Sequence, residues 1–361
     1  MSGLRNRRAS SSPVEVGQSR EDRSLCIGLI AWLGLVLSGL LSTAAMADER
    51  CDGFFPDFTC DREARPAGHV APMSMPYLFE DPYITTGLNL VGIYHNFPED
   101  SVFDGGEVGV LALQARLAIT DRLAFIATKD GFTILRSDNF ALDNEEGFMN
   151  VSAGFKYAVI DDRERGLIVT PSFRFEIPLG NDDVLQGHGD GIFIPAVTVG
   201  WGPEDIHLIA GLGAQLPIDG DANSSLLFYN IHLDQAFAVD FIPGADFIVP
   251  FIELNGLAYM DSGDGSTQID LASSAGLGHS QPLRTVQGVL SGITADRRGD
   301  GVDVANLGSS GMGNEDIITM AWGVRVPFRN GISTGFSYER VLSSREDIFE
   351  QRATWMVSYE F

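Results

Sequence analysis

Residues 351–361 read QRATWMVSYEF, and the sequence ends on Phe361. Side chains of a β-strand point to opposite faces in turn, so every second residue shares a face. Large apolar residues hold one face of this stretch: Trp355, Val357, Tyr359 and Phe361. The other face is mainly polar. The pattern predicts a strand with one apolar and one polar face, an unusual ending because terminal residues are commonly polar and frayed.

The same alternation recurs along most of the chain. In residues 148–159, FMNVSAGFKYAV, and 167–177, LIVTPSFRFEI, polar or small side chains alternate with apolar ones. About twelve segments share the pattern, roughly at 83–95, 106–119, 123–135, 148–160, 166–179, 191–201, 206–217, 228–240, 247–260, 316–327, 332–341 and 352–361. Most reach about ten residues, which exceeds the length usual in globular sheets and suits a tilted strand that crosses a bilayer.

The connections between these segments alternate in length. Every second one is tight: TDR at 120–122, DDRERG at 161–166, WGPED at 201–205, FIPGAD at 241–246 and FRNG at 328–331. The others are longer and acidic, and the longest spans about 261–315. Short turns at one end and long loops at the other are typical of outer-membrane barrels. We therefore predict an all-β fold, a transmembrane antiparallel up-and-down β-barrel of about twelve strands over residues 83–361 with periplasmic N- and C-termini. A secreted β-sandwich is the alternative.

The N-terminal region has a different character. Residues 1–47 combine a basic lead, an apolar run and small residues before Ala47, which predicts a cleaved secretory signal peptide. An uncleaved membrane anchor is the alternative. Residues 48–82 are rich in Pro and Asp and show no period, so we expect an extended periplasmic leader. Cys51 and Cys60 are the only cysteines after the predicted cleavage site, and in an oxidising compartment they are expected to form a local disulfide.

The formal net charge of −25 argues against nucleic acid as a partner, because such a surface repels phosphates. Asp219, Asp221 and Asn223 open a loop in the manner of an EF-hand. The glycine and glutamate that such a loop requires later are Ser224 and Asn230. We therefore predict no metal site and no cofactor, with at most weak binding of divalent cations by the acidic loops.

The polar face of the strands is expected to line the lumen, because an Arg or Lys that faces lipid near the midplane costs about 2–4 kcal/mol. The predicted lumen-lining residues are Arg116, Lys156, Arg174, Glu176, His232, Asp234, Glu253, Arg325, Glu339 and Arg352. Both signs of charge are present. One interpretation is a polar channel with a constriction of opposed charges, and the other is a closed interior filled by paired charges.

Residues 251–259, FIELNGLAY, place aromatic and polar groups on one face: Phe251, Glu253, Asn255 and Tyr259. A luminal site for an aromatic or apolar solute has this composition. An aromatic belt at the membrane interface accounts better for Tyr259.

Barrel enzymes require catalytic groups, and His232 and Asp234 share one strand face. With Ser224 or Ser225 in the preceding loop they suggest a hydrolase, but a luminal ion pair explains them better. The sequence contains no G-x-S-x-G, H-E-x-x-H or P-loop motif. We therefore predict that the chain is not an enzyme.

The ending WMVSYEF resembles the terminal strand of Gram-negative outer-membrane β-barrel proteins, which end in Phe after alternating aromatic and apolar residues. The resemblance implies an outer-membrane location, and it implies that the barrel-assembly machinery reads this strand as an assembly signal. Residues 115–132, ARLAITDRLAFIATKDGF, resemble strand–turn–strand units of outer-membrane transporters, one group of which is associated with the meta pathway of phenol degradation. No site residue is carried over from that group.

Together these features predict an outer-membrane channel for passive passage of a small, apolar or aromatic solute, gated by inward folding of the loop at 261–315. Its expected partners are outer-membrane lipid, the barrel-assembly machinery and the solute. A non-conducting structural or surface-adhesive barrel and an outer-membrane hydrolase are the alternative functions.

Overall fold

The computed structural model describes residues 65–99, 101, 103–139, 142–202, 204–220, 222–261, 268–269, 281–282, 316–344 and 348–361. The signal peptide, the cysteine pair and most of the loop at 261–315 lie outside these residues and stay predictions. No helix in the described part of the chain is long and apolar enough to cross a membrane.

Twelve long strands form one sheet in the described residues. They are β1 (Gly87–Asn96), β2 (Gly106–Ala118), β3 (Leu123–Lys129 continued by Phe132–Ser137), β4 (Glu145–Phe148 continued by Val151–Tyr157), β5 (Leu167–Ile177), β6 (Ile192–Trp201), β7 (Ile206–Pro217), β8 (Ser225–Gln235), β9 (Phe247–Asp261), β10 (Asp316–Pro327), β11 (Ile332–Val341) and β12 (Gln351–Glu360). Each strand lies antiparallel to its neighbours in chain order. The predicted all-β class and strand number are confirmed.

The sheet closes on itself. β1 pairs with β2 on one side and with β12 on the other, where Gly87 lies opposite Glu360 and Asn96 opposite Gln351. Closure leaves no free edge among the described strands, as a bilayer requires, because an unpaired backbone group in lipid costs several kcal/mol. The sheet is therefore a closed barrel, and the alternative of a two-sheet sandwich is wrong.

The alternation in the sequence separates the two faces of the barrel wall. On β8, Tyr229 and Ile231 are exposed on the outer face, whereas His232 and Asp234 are buried on the inner face. Exposed large apolar side chains continue around the outside, for example Phe155 and Phe173 on β4 and β5. Such a continuous apolar band is far larger than the patches that soluble monomers expose, and it suits contact with lipid.

The two ends of the barrel differ. The end with the short connections, which we call the turn end, also holds both ends of the described chain. There the Arg65 guanidinium lies 2.6 Å from the Glu360 carboxylate, and the backbone N–H of Phe361 donates to the Thr86 carbonyl at 3.1 Å. The opposite end, with the longer connections, is the loop end. The periplasmic placement of the termini stays a prediction.

Residues 65–86 precede β1, and we call them the plug; residues 69–83 of this segment lie buried or half-buried inside the lumen. The plug enters from the turn end, reverses at residues 75–79 and returns to the start of β1. At the reversal the N–H groups of Leu78 and Phe79 both donate to the Met75 carbonyl, at 3.1 and 2.9 Å. The expected extended leader at 48–82 therefore does not hold for residues 65–82, which fold back on themselves within the barrel.

Apolar burial explains why the plug stays in a polar lumen. Leu78 and Phe79 pack in a core with Ile194, Ile209 and Phe228 of β6, β7 and β8. Full burial of one such side chain stabilises by about 1.5–3 kcal/mol relative to exposure. The plug thus fills the barrel as a small hydrophobic core, and its polar groups meet the charged part of the wall.

Deletion of Phe361 is expected to reduce the amount of protein assembled in the outer membrane of cells. The Phe361 ring packs edge-on against Tyr359 with centroids 4.8 Å apart, and it lies beyond the last paired residue of β12. The deletion therefore leaves barrel closure intact, so the purified variant should refold in detergent with unchanged heat-modifiable migration on gels. Unimpaired assembly in cells would contradict the proposed role of this residue.

Candidate functional site

The structure places all ten predicted lumen-lining residues on the inner face of the wall. Nine of them are buried and Arg116 is partly buried. In this conformation they surround the plug, and most of their polar contacts are made to the plug or to one another. The candidate site is therefore the interface between the charged wall and the plug.

Glu80 of the plug occupies a basic socket formed by Arg116 of β2 and Lys156 of β4. Arg116 donates from Nε to Oε1 at 3.1 Å and from NH2 to Oε2 at 2.7 Å, and Lys156 Nζ lies 2.9 Å from Oε1. Burial alone would raise the pKa of Glu80, but the two cations outweigh it and lower that pKa to about 2. Glu80 is therefore a charged group held inside the barrel.

Asp81 connects the plug to the turn end. Its carboxylate lies 2.8 Å from Arg65 NH2 and 3.0 Å from His69 Nε2, and its carbonyl accepts from Lys156 at 2.7 Å. Burial opposes the charged form, but Arg65 and His69 outweigh it and hold the pKa of Asp81 well below its usual range. Because Arg65 also binds Glu360, one guanidinium joins both arms of the plug to the last strand.

The tip of the plug is fixed by β3 and β5. The Tyr77 hydroxyl donates to Glu176, which also accepts from Lys129 at 2.7 Å and from Asn150 at 2.8 Å. Arg174 donates to the Tyr77 carbonyl and, at 3.2 Å, to the Leu78 carbonyl. The wall thus recognises backbone as well as side chain at the reversal.

On the opposite wall, Glu253 of β9 binds the ascending arm of the plug. It accepts from the N–H groups of Met73 and Ser74 at 2.8 and 2.7 Å, and from the Ser74 hydroxyl. His232 lies between Glu253 and Asp234, 2.7 Å from the first and 2.9 Å from the second. Both ring nitrogens therefore face carboxyl groups.

In the described residues His232 and Asp234 contact acids and a second histidine rather than a serine. Asp234 is shared between His232 and His207, the latter at 2.6 Å. Ser224 stands eight residues from His232 along β8, about 26 Å for an extended strand. The Ser74 hydroxyl donates to Glu253 rather than to a histidine. Among the described residues no group of three or more His, Cys, Asp or Glu side chains is placed to hold a metal ion.

The remaining predicted residues form hydrogen bonds between neighbouring strands of the wall. Arg352 donates to Glu339 through Nε at 2.9 Å and NH2 at 2.6 Å. Arg325 donates to the hydroxyls of Ser333 and Ser358 at 2.6 and 2.7 Å, and to a plug carbonyl, that of Ala71, at 3.1 Å. They stabilise the strand pairs near β12 and hold the base of the plug.

The aromatic face of β9 also points inward. The Phe251 ring stacks on the His232 ring with centroids 5.3 Å apart, and Tyr259 packs in the same core as Leu78 and Phe79. The interpretation of Tyr259 as part of an interfacial belt is therefore wrong, because its side chain is buried in the lumen.

Two of the cavities that adjoin the plug lie at its opposite ends. A cavity of about 700 Å³ opens at the turn end, where Arg65, His69 and Phe361 contribute to its lining. A smaller apolar cavity of about 50 Å³ lies at the plug tip, between Met75 and β1–β3. The plug lies between these two spaces.

Sequence reasoning missed the plug groups Glu80, Asp81 and Tyr77, as well as the wall residue Lys129. The available signal was the stretch MSMPYLFED at 73–81, where large apolar side chains and two adjacent acids lie five residues before the first strand. Such a stretch is too apolar to be a solvated leader.

No protein-family model matches the sequence, and no curated protein matches it. Solved structures do match. They include outer-membrane β-barrel proteins. The outer membrane channel COG4313 from Pseudomonas putida F1 is 15% identical, with a TM-score of 0.44 over 81% of this chain and 100% of that chain. The NanC porin is 7% identical, with a TM-score of 0.41 over 76% and 98% of the two chains. LpxR from Salmonella typhimurium is 8% identical, with a TM-score of 0.42 over 76% and 100%.

At these identities and TM-scores the likeness carries no information about solute or mechanism. The closed twelve-strand barrel agrees with the predicted resemblance to outer-membrane β-barrel proteins. The narrower resemblance to transporters of the phenol-degradation group stays a prediction.

Proposed function

We propose that the chain is a non-enzymatic outer-membrane channel for a small solute, closed by its own plug and opened when the plug leaves the lumen. The apolar outer face supports the membrane location. The lipid and assembly partners expected from the sequence belong to the same proposal. The charged inner face of the wall supports the assignment as a channel.

The observation that carries the proposal is the chemistry of two wall arginines. Arg174 is 0% exposed and Arg325 is 1% exposed, and neither contacts a carboxylate of the described residues. A buried guanidinium without a paired acid is costly in a dry interior. Apolar side chains would fill a permanently closed barrel at least as well. A wall with such groups suits a lumen that holds water in one of its states.

The distribution of charge supports the same conclusion. The inner face of β2–β5 is mainly basic, with Arg116, Lys129, Lys156 and Arg174 around Glu176, and that of β8 and β9 holds Asp234 and Glu253 on either side of His232. Without the plug, these charged groups would line the lumen, and rings of charged side chains give some ion pores their selectivity.

The plug is also held in a way that permits release. Its polar contacts with the wall are hydrogen bonds and ion pairs, and it enters from the turn end, where the 700 Å³ cavity adjoins it. Withdrawal in that direction would break these contacts together with the apolar packing of Leu78 and Phe79 against the wall. The loop at 261–315, which the sequence suggested as a gate, lies mostly outside the described residues.

Single-channel recording of the purified protein across pH tests the proposal. Because the pKa values of Glu80 and Asp81 are lowered when the plug is in place, these groups stabilise the closed state above their ordinary pKa, 4.5 for Glu80. That contribution is lost as the pH falls through about 2 for Glu80. Burial also lowers the pKa of His69, so its protonation opposes closure below its ordinary value of 6.5.

We therefore expect low open probability at neutral pH and a progressive rise on acidification. The Glu80→Gln variant should show a smaller rise in open probability on acidification. This difference distinguishes titration of the plug carboxylate from titration of the wall carboxylates. Absence of current at every pH, or current that is highest at neutral pH and lost in acid, would contradict the proposal.

A further inference from the structure

We propose that Arg116 and Lys156, with Arg174 beside them, form a binding site for the carboxylate of an aromatic monocarboxylate solute, and that Glu80 of the plug fills this site in the closed state. The inference rests on the proposed channel function and names the solute class of that channel.

The socket has the geometry with which proteins bind free carboxylates. Two donors of the Arg116 guanidinium reach different oxygens of Glu80, and Lys156 adds a third charged donor. Such bidentate contacts are geometrically specific and stronger than neutral hydrogen bonds. Glu80 belongs to the plug, whereas all three donors belong to the wall, so the donors stay in place when the plug leaves.

Unpartnered polar groups beside the socket are an independent sign of a ligand. Ser172 on β5 lies directly opposite Lys156 in the register of β4 and β5. Its buried hydroxyl and the buried Nε of Arg174 have no hydrogen-bond partner among the described residues. Buried polar groups are normally satisfied. The socket thus offers more hydrogen-bonding capacity than one glutamate side chain uses.

The plug also presents an aromatic ring to Arg174 and to a further cation of the wall, Lys129. The centroid of the Tyr77 ring lies 4.9 Å from Lys129 Nζ and 5.9 Å from the Arg174 guanidinium carbon. A ring in this position attracts cations through its π-face. We expect the ring of a bound aromatic carboxylate to lie beside Arg174, as the Tyr77 ring does, with its carboxylate at Arg116 and Lys156.

Competition follows from this arrangement. A solute that needs the socket binds only when Glu80 is absent from it, so binding and opening are coupled. Its apparent affinity is lowered by the small population of the open state. Removing the charge of Glu80 should therefore strengthen binding of the solute.

Equilibrium titration of the full-length protein in detergent with benzoate at neutral pH tests the site. Benzoate should bind the Glu80→Gln variant about tenfold or more tightly than the unchanged protein. Adding Arg116→Gln to that variant should remove the gain in benzoate affinity. Glu204→Gln, the same change at an exposed turn position, should leave the benzoate affinity unchanged. Benzamide, the neutral isostere, should not bind. Heat-modifiable migration on gels confirms that each variant is folded.

Equal benzoate affinity with and without Arg116 would overturn the carboxylate site, as would equal binding of benzamide. Binding of acetate as tight as that of benzoate would overturn the aromatic part. Bilayer recording of the same variants separates this inference from the channel function. Current through Glu80→Gln without benzoate selectivity removes the site and keeps the channel, whereas selective binding without current keeps the site and removes the channel.

Discussion

Replacement of Glu80 by Gln together with Asp81 by Asn is expected to open the barrel at neutral pH. The two carboxylates make ion pairs with Arg116, Lys156 and Arg65. Removal of one partner from a buried pair typically costs about 3–5 kcal/mol, because the other charge is left uncompensated. The equilibrium between closed and open states should therefore shift by roughly 10²- to 10⁴-fold toward open. Open probability in planar bilayers at pH 7.5 measures the shift.

The chain offers a matched control for this variant. Glu204 and Asp205 form the same doublet at the turn end, where both are exposed. Glu204→Gln with Asp205→Asn changes the net charge equally without touching the plug, so open probability should stay at the level of the unchanged protein. Equal open probability of the two double variants would show that the plug carboxylates do not hold the barrel closed.

Replacement of Ile231 by Arg is expected to be the most destabilising change on the outer face. Ile231 lies in the middle of β8 and is 47% exposed. If the outer face meets lipid, an Arg at this depth costs about 2–4 kcal/mol. Urea unfolding of the protein in lipid vesicles should show a lower midpoint with an unchanged slope.

Ile218→Arg is the control for this prediction. Ile218 directly follows β7 at the loop end and is 53% exposed, so substitution, exposure and charge are matched and only depth differs. An Arg near the interface costs about 0–1 kcal/mol. A similar loss of stability at both positions would argue against a lipid-facing wall, because a depth-dependent cost is specific to a membrane.

The strands were predictable because a membrane barrel requires apolar and polar side chains to alternate along each strand. The bounds of β7, β10 and β11 coincide with the predicted segments. The inward direction of the ten luminal residues follows from the same rule, since a charge on the outer face would meet lipid. Each strand could therefore be interpreted without knowledge of its partners.

The plug was not predictable in this way. Residues 65–86 have no period, and their position depends on contacts far apart in sequence, such as Arg65 with Glu360 and Glu80 with Lys156. Lys129 was missed for a local reason. The register of β3 shifts between Ala127 and Lys129, which turns this side chain inward where strict alternation would place it outward. Tyr259 was misplaced because an aromatic residue near a strand end has the same sequence pattern in an interfacial aromatic belt and in a luminal core.

A reversible cross-link between plug and wall tests the central claim most directly. Ser74 and Asn255 are suitable positions for a cysteine pair, because their side-chain atoms Oγ and Nδ2 lie 2.9 Å apart. The pair would be introduced into the Glu80→Gln, Asp81→Asn variant, with Cys51 and Cys60 changed to Ser. Plug closure of a conducting lumen predicts single-channel current under reducing conditions, loss of that current on oxidation, and its return when reductant is added. Current that is unaffected by oxidation, or absent in both states, would contradict a channel closed by residues 65–86.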